Sequence, residues 1–401
     1  MTKHLPDGIY LDMPFDQYLE LERMSAGGLT DMMEGPSAFW ARSWLNPDRE
    51  EEEPSKAMLH GSAYHCARLE PEEFPRRFVR DVTAEDYKGR TILMNGTDIG
   101  EALANMGHTK KKSGETVLEQ AERLRTVYAT EIDKPMSELP VIWPLERAAF
   151  DAARGRDGRA AIDPKTFDEI QRDAARLRAN PEVASLIEDG LAEVTILFTL
   201  DGVPCKIRPD YIGAGFVTHL KTWDTRSAGK TGNQAVADAF RFNGYYRTGW
   251  FYELGMRSIR EQDLTVRHTR DGSPMKITDI EAPEAGVLAT HMSEHGGGRE
   301  TFFLFLRRGG VPDIRARRIR WFSLPPGIRE QEIGASTDGF QKVASAMCRK
   351  ADLEVRSCLQ LYRESLEQYL PGEPWFPRDM MGDIEDADFS DYWLDSVEDP
   401  R

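Results

Sequence analysis

Apolar residues recur at every second position from Glu193 to Leu200, where Val194, Ile196, Phe198 and Leu200 share one face. That period predicts a half-buried strand. Asp201-Gly202 follows as a two-residue hairpin turn, and Val203 to Arg208 reads as the return strand. Gly213 and Gly215 bound another turn, after which Phe216 to Lys221 predicts a third strand. Thr301 to Leu306 (TFFLFL) is a continuous apolar run of the buried-strand type, with Ile314 to Trp321 as its partner.

Helical signals fill most of the remaining chain. Residues 8–45 read as a short strand or turn and then helices: Ser25 caps one through Leu29 and Met33, and Pro36 starts the next, carrying Phe39 and Trp40. Residues 46–57 form a polar, acidic loop. Ala57 to Leu69 predicts a helix with Met58, Ala63 and Cys66 on one face and Gly61 allowing close packing. Asp163-Pro164 and Asn180-Pro181 each set a capping side chain before a proline at the first helical position. The first leads Phe167, Ile170, Ala174 and Leu177 at helical spacing; the second leads a short helix ending near Gly190. Asn233 caps a predicted helix from Gln234 to Leu254, rich in aromatic residues, and residues 329–369 read as one or two long helices. Between 80 and 160 the pattern is weak: a helix within 110–132, a turn-rich connection at Arg154 to Arg159, and surface elaboration around them. The whole predicts a central mixed sheet flanked by helices, an α/β (α+β) fold.

The length of 401 residues allows two or three domains or one large elaborated one, and 40% hydrophobic with 30% charged residues is the balance of a soluble globular chain. No apolar run is long enough to span a membrane, and MTKHLPDGIYLDMPFDQY lacks the apolar segment of a secretory signal. Cys66, Cys205, Cys348 and Cys358 form no CxxC pair, which points to a reducing, cytoplasmic setting. The net charge of −16 is unevenly placed. Acids concentrate at Glu50 to Glu53 and in the tail, where Glu385 to Asp399 holds seven acids and no base. Bases cluster at Lys110 to Lys112 and along Arg307, Arg308, Arg315, Arg317, Arg318 and Arg320. The total therefore does not exclude nucleic acid as a partner.

KIRPDYIGAGFVTHLK, residues 206–221, is where chemistry concentrates. Alternation puts His219 and Lys221 on one face of a strand, beside an aspartate that follows a proline. Carboxylates at strand ends can hold a hard cation such as Mg²⁺, and a neighbouring lysine can offset phosphate charge. Asp210 suits the ligand role, Lys221 the cation role, and Glu193 on the adjacent hairpin can aim at the same place. His291 and His295 sit four apart before Gly296 to Gly298, a spacing better read as a loop than as a metal pair. Neither a phosphate-cradling Walker lysine motif nor a nucleophile elbow is present.

These residues resemble the RecE (exonuclease VIII) type of PD-(D/E)XK exonuclease, related to the RecB-like nucleases. MSAGGL and GPSAFW are similar to that family's opening segments, and HGSAYHCARLEPEEF to its histidine motif. NPEVASLIEDGLAEVTILFTLDGVPCKIRPDYI resembles its first core strands, FFLFLRRGGVPDIRARRI its later hairpin, and PGEPW its ending. The resemblance implies a restriction-endonuclease-like core and a single elaborated domain over residues 1–380. Its core would be about 57–75 and 160–325, with insertions at about 80–155 and 256–298 and an acidic tail over 381–401. It implies Mg²⁺ or Mn²⁺ held by His65 and Asp210, Lys221 as catalytic lysine and Glu193 as accessory acid. It further implies 5′ to 3′ digestion of linear double-stranded DNA ends in phage-type recombination. The expected company is a single-strand annealing protein and a ring-shaped homo-oligomer.

The chain departs from the family at two positions. His219 stands two residues before the lysine, where an acid is expected, and Thr248 stands where a glutamine is expected in a QxxxY pattern that keeps Tyr252. Arg208, Tyr246, Arg247 and Thr248 are candidates for DNA contact. A neutral imidazole can ligate a metal but favours softer ions, Mn²⁺ over Mg²⁺. Three outcomes stay open. His219 is a ligand; a displaced acid, Glu193 or Asp224, supplies the oxygen; or the fold is a degenerate nuclease kept as a DNA-binding or protein-interaction module.

Overall fold

Strands and helices alternate along the chain in a mixed α/β arrangement with several sheets. The computed structural model describes residues 4–50, 55–223, 232–292, 300–307, 313–320 and 339–376. The acidic tail, Asp224, Arg308 and the His295–Gly298 stretch lie outside the described residues. In chain order the strands are β1 (Gly8–Tyr10), β2 (Phe78–Arg80), β3 (Ile92–Leu93), β4 (Val141–Ile142), β5 (Ala160–Ile162) and β6 (Leu191–Ala192). There follow β7 (Thr195–Leu200), β8 (Val203–Ile207), β9 (Tyr211–Gly213), β10 (Phe216–Trp223), β11 (Glu300–Arg307) and β12 (Ile314–Arg320). The helices are α1 (Phe15–Glu20), α2 (Ala26–Glu34), α3 (Pro36–Arg42), α4 (Lys56–Leu69), α5 (Phe74–Arg77), α6 (Gly96–Asn105) and α7 (Val117–Glu131). Then come α8 (Trp143–Asp157), α9 (Pro164–Arg178), α10 (Pro181–Ala184), α11 (Gly232–Phe242), α12 (Tyr245–Glu261), α13 (Ala282–Met292) and α14 (Gly339–Gln368).

Two compact units divide the chain: Met1–Glu51, Asp189–Phe305 and Arg315–Arg401 form the first, Glu52–Glu188 and Leu306–Ile314 the second. Among the described residues the first unit holds two sheets where the pattern predicts one. The order β1-β7-β8 makes one, and β12-β11-β10-β9-β6 the other. The predicted hairpin is present: Leu200 pairs with Val203 across Asp201-Gly202, whose φ angles of 49° and 77° are the positive pair a type I′ turn requires. Its first strand is buried on both faces rather than one. Ile196 and Phe198 join the main core with Phe251 and Ile259 of α12, while Leu197 packs with Leu5, Tyr10, Met13, Tyr18 and Leu21. Each such fully buried side chain contributes about 1.5–3 kcal/mol.

The helix predicted from Gln234 to Leu254 is two helices. Gly244 adopts a left-handed conformation (φ 63°) that ends one and begins the other. α12 lies against the hairpin at Gly255, where an added Cβ would come within 2.4 Å of Ile207 Cδ1. Trp250 Nε1 donates to Asp352 of α14 at 3.0 Å, which ties that long helix to α12.

In the second unit, Asp163 caps α9 by accepting from the Thr166 amide, and Asn180 caps the short α10. α10 stops at Ala184, short of Gly190. Ala63 and Cys66 of α4 are buried with Phe74, Ile170 and Ala174, but Met58 is 62% exposed and leaves the predicted face. The weakly patterned stretch 80–160, read as a helix with surface elaboration around it, encloses a core of Leu93, Ile99, Leu103, Leu124 and Val127. The stretch Arg154 to Arg159 is mostly helical: α8 runs to Asp157 and ends on left-handed Gly158 (φ 65°).

Candidate active site

Proline 209 shapes the site. It has no N–H to give a ladder and holds the preceding residue extended, so β8 stops at Ile207 and Arg208 leads out of the sheet. Asp210 then stands immediately before β9. The β9–β10 pairing ends with Tyr211 opposite Thr218. Two residues further along β10, the Leu220 amide donates to Asp210 Oδ2 at 2.7 Å. That bond orients the carboxylate, and Lys221 Nζ approaches the same oxygen at 3.7 Å. The Lys221 ammonium also lies 5.5 Å from the centre of the Tyr245 ring.

Glu193 occupies the joint between β6 and β7, not a strand. Its φ of 54° is uncommon for a residue with a side chain and turns the chain sharply there. Its amide donates to the Asp210 carbonyl at 3.2 Å, which ties the two acid-bearing segments by their backbones. A carboxylate oxygen of Glu193 lies within 4.8 Å of one of Asp210. Arg208 Nε donates to Glu193 Oε2 at 2.7 Å, and Arg208 Nη1 donates to the Met13 carbonyl at 2.7 Å and to Thr195 Oγ1 at 3.1 Å. The guanidinium sits 5.9 Å from the ring centres of Phe15 and Tyr18. Arg208, expected as a DNA contact, thus has its head group directed inward to an acid of the site.

His219 is 1% exposed. Tyr252 meets it edge-on at 4.8 Å and Phe303 lies tilted against it at 5.1 Å. Burial of both faces of β10 explains this, since Val217, Thr218, His219 and Leu220 are all buried. Burial first, then the neighbouring Tyr18 phenol and the negative charges of Asp210 and Glu193, raise the Tyr252 phenol well above its ordinary value, and a hydrogen bond from the Arg208 backbone opposes the rise. The phenol therefore stays protonated. Tyr246 Oη and Arg247 Nη1 both bind Glu354 of α14, at 2.8 Å and 3.0 Å, so their polar ends brace that helix. Thr248 sits in the first turn of α12, its amide bonded to the Gly244 carbonyl. His65 is carried by α4 of the second unit and is half-buried there.

Two carboxylates at this separation suit a divalent cation. The separation is no more than about twice a metal–oxygen distance of ~2.1–2.5 Å, and hard oxygen donors fit Mg²⁺ or Mn²⁺. Glu193, Asp210 and Lys221, named from the sequence, lie together in the structure, whereas the bond between Arg208 and Glu193 was not expected. The available signal was the Arg-Pro-Asp triplet, in which an extended residue before proline can send its side chain back toward the preceding strand joint.

No helix among the described residues is long and apolar enough to cross a membrane. No protein-family model matches the chain, and no curated protein matches it. Among solved structures it is similar to one described as a "Putative exonuclease" from Eubacterium rectale. The two share 14% identity at a TM-score of 0.39, over 86% of this chain and 82% of the other. A likeness at that score carries no argument, and the functional reading rests on the residues of the site.

Proposed function

We propose that this chain is a metal-dependent nuclease, an exodeoxyribonuclease of the RecE type that digests linear double-stranded DNA from its ends. One observation carries the reading: the carboxylates of Glu193 and Asp210 converge within 4.8 Å, with Lys221 Nζ 3.7 Å from Asp210. Asp210 and Glu193 are the residues that would hold Mg²⁺ or Mn²⁺, with His65 as a further ligand on the strength of the histidine motif. A cation bound there would lower the pKa of a coordinated water and stabilise charge building on phosphate oxygens. Lys221 would offset phosphate charge beside Asp210, and the Leu220 amide keeps the Asp210 carboxylate in one orientation. In this reading Glu193 is the displaced acid, and His219 is a packing residue of the β10 core. The expected polarity is 5′ to 3′, the expected company a single-strand annealing protein and a homo-oligomeric ring.

The burial of His219 at the position of the expected acid favours a second reading, a degenerate nuclease that binds DNA without cutting it. One assay separates the two. Linear duplex labelled at either 5′ or 3′ end is incubated with wild type or Lys221→Ala in Mg²⁺, Mn²⁺ or EDTA. The nuclease reading expects digestion that needs metal and drops at least about 100-fold in Lys221→Ala. Equal digestion by both proteins would sink the site assignment. Retarded but intact DNA would establish the second reading.

A further inference from the structure

We propose that Arg208 is a positioning residue for the metal site, acting through Glu193; this rests on the nuclease reading above. An acid that must serve as a ligand needs its side chain held, because a glutamate has three torsions and a large rotamer entropy. Here the backbone of Glu193 is fixed by the bond from its amide to the Asp210 carbonyl, and its side chain by Arg208 Nε at Oε2. Arg208 is itself immobilised. Its side chain is 12% exposed, and Nη1 is shared between the Met13 carbonyl and Thr195 Oγ1. The rings of Phe15 and Tyr18 border the guanidinium. The Arg208 backbone is tied in turn to α12 by a hydrogen bond to the Tyr252 phenol.

The geometry assigns Arg208 a role that electrostatics alone would not give it. A positive charge next to a cation site repels the cation. If charge were its main effect, removing it would tighten metal binding. If positioning dominates, removing it frees the Glu193 side chain and weakens binding, by about 10- to 100-fold for a partner that orients a ligand. The two expectations have opposite signs. Lysine cannot replace the function, because a single ammonium cannot reach Glu193, Met13 and Thr195 together as the planar fork does.

The test is Mn²⁺ binding to the full chain, followed by the loss of the free-ion electron paramagnetic resonance signal. Wild type, Asp210→Asn, Glu193→Gln, Arg208→Gln, Arg208→Lys and the double variant Arg208→Gln/Glu193→Gln are compared, with folding checked by near-UV circular dichroism. The expected result is weaker binding in Arg208→Gln and in Arg208→Lys, and little further loss when Arg208→Gln is added to Glu193→Gln. Equal or tighter binding in Arg208→Gln overturns the proposal while leaving the metal site standing. So does a full additional loss in the double variant. Should Arg208→Gln fail to fold, Arg208→Lys alone and combined with Glu193→Gln decides the matter in the same way. If wild type binds no Mn²⁺ and Asp210→Asn changes nothing, the metal site itself is refuted, and the role of Arg208 with it.

Discussion

Restoring the acid that the family pattern expects, by His219→Asp, is predicted to damage the protein rather than to improve its chemistry. His219 is 1% exposed, with Tyr252 edge-on at 4.8 Å and Phe303 at 5.1 Å. Aspartate is smaller, so it loses two ring contacts of about 0.5–1.5 kcal/mol each beyond area burial. It also places a carboxyl group between aromatic rings, where an imperfectly paired buried polar group costs about 1–3 kcal/mol. The terms sum to about 2–6 kcal/mol, and a destabilisation of about 3 kcal/mol is already a large share of a total of about 5–15 kcal/mol. For a unit of this size that lowers the melting temperature by about 6–12 °C. Differential scanning fluorimetry measures the shift, and digestion of linear duplex well below the melting transition measures activity. The expected outcome is a lower melting temperature with no gain in rate. A variant as stable as wild type and faster than it would refute the reasoning and make position 219 a true ligand position.

Two predictions concern the scaffold. Lys206 is 5% exposed, and its ammonium donates to the carbonyls of Tyr18 and Leu21 at 2.8 Å and of Leu19 at 3.2 Å. Burial, with Arg23 and Arg49 nearby, pushes its pKa down to about 7. The unfolded chain keeps that proton up to the ordinary value of 10.5, so between pH 7 and 10.5 the unfolded state binds more protons. Stability should therefore rise with pH through that window, by up to about 1.4 kcal/mol per pH unit, and be indifferent to this group below it. Urea denaturation of wild type and Lys206→Met across the window checks this; parallel curves would mean that the three carbonyls keep the ammonium charged. Gly255→Ala should stabilise a helix by about 1 kcal/mol on propensity alone. Here its Cβ meets Ile207 Cδ1 at 2.4 Å and Phe198 Cε1 at 2.9 Å, so a net loss of about 1–2 kcal/mol in urea denaturation is expected, and a gain would contradict the packing.

Much of the fold is legible where a residue has a local job. Asp201-Gly202 names its turn because few residues accept two successive positive φ angles, and Ser25, Asp163 and Asn180 name helix starts because each satisfies an amide. Features decided by tertiary contact are not legible. Alternation in Thr195–Leu200 shows which residues share a face, but both faces are covered, and it carries no information on which strands become neighbours. That is why one predicted sheet is two. The break at Gly244 was hidden by continuous aromatic spacing on either side of it. At the site, Asp210 and Lys221 stand out by residue type and order. The sharp joint at Glu193 does not, because a left-handed glutamate has no sequence signature and is held there by its bond to Asp210. Alternation puts His219 on the strand face of Lys221, but it does not show that β10 is buried on both sides, which sets His219 among aromatic rings.

In the proposed site the second carboxylate comes from Glu193 and not from the position before the lysine. Comparing the rate of metal-dependent digestion of linear duplex DNA by Glu193→Gln and His219→Gln, both assayed below their melting transitions, tests it most directly. Glu193→Gln is expected to lose at least about 100-fold while His219→Gln stays within about 10-fold of wild type. A severe loss in His219→Gln with Glu193→Gln near the wild-type rate would contradict it.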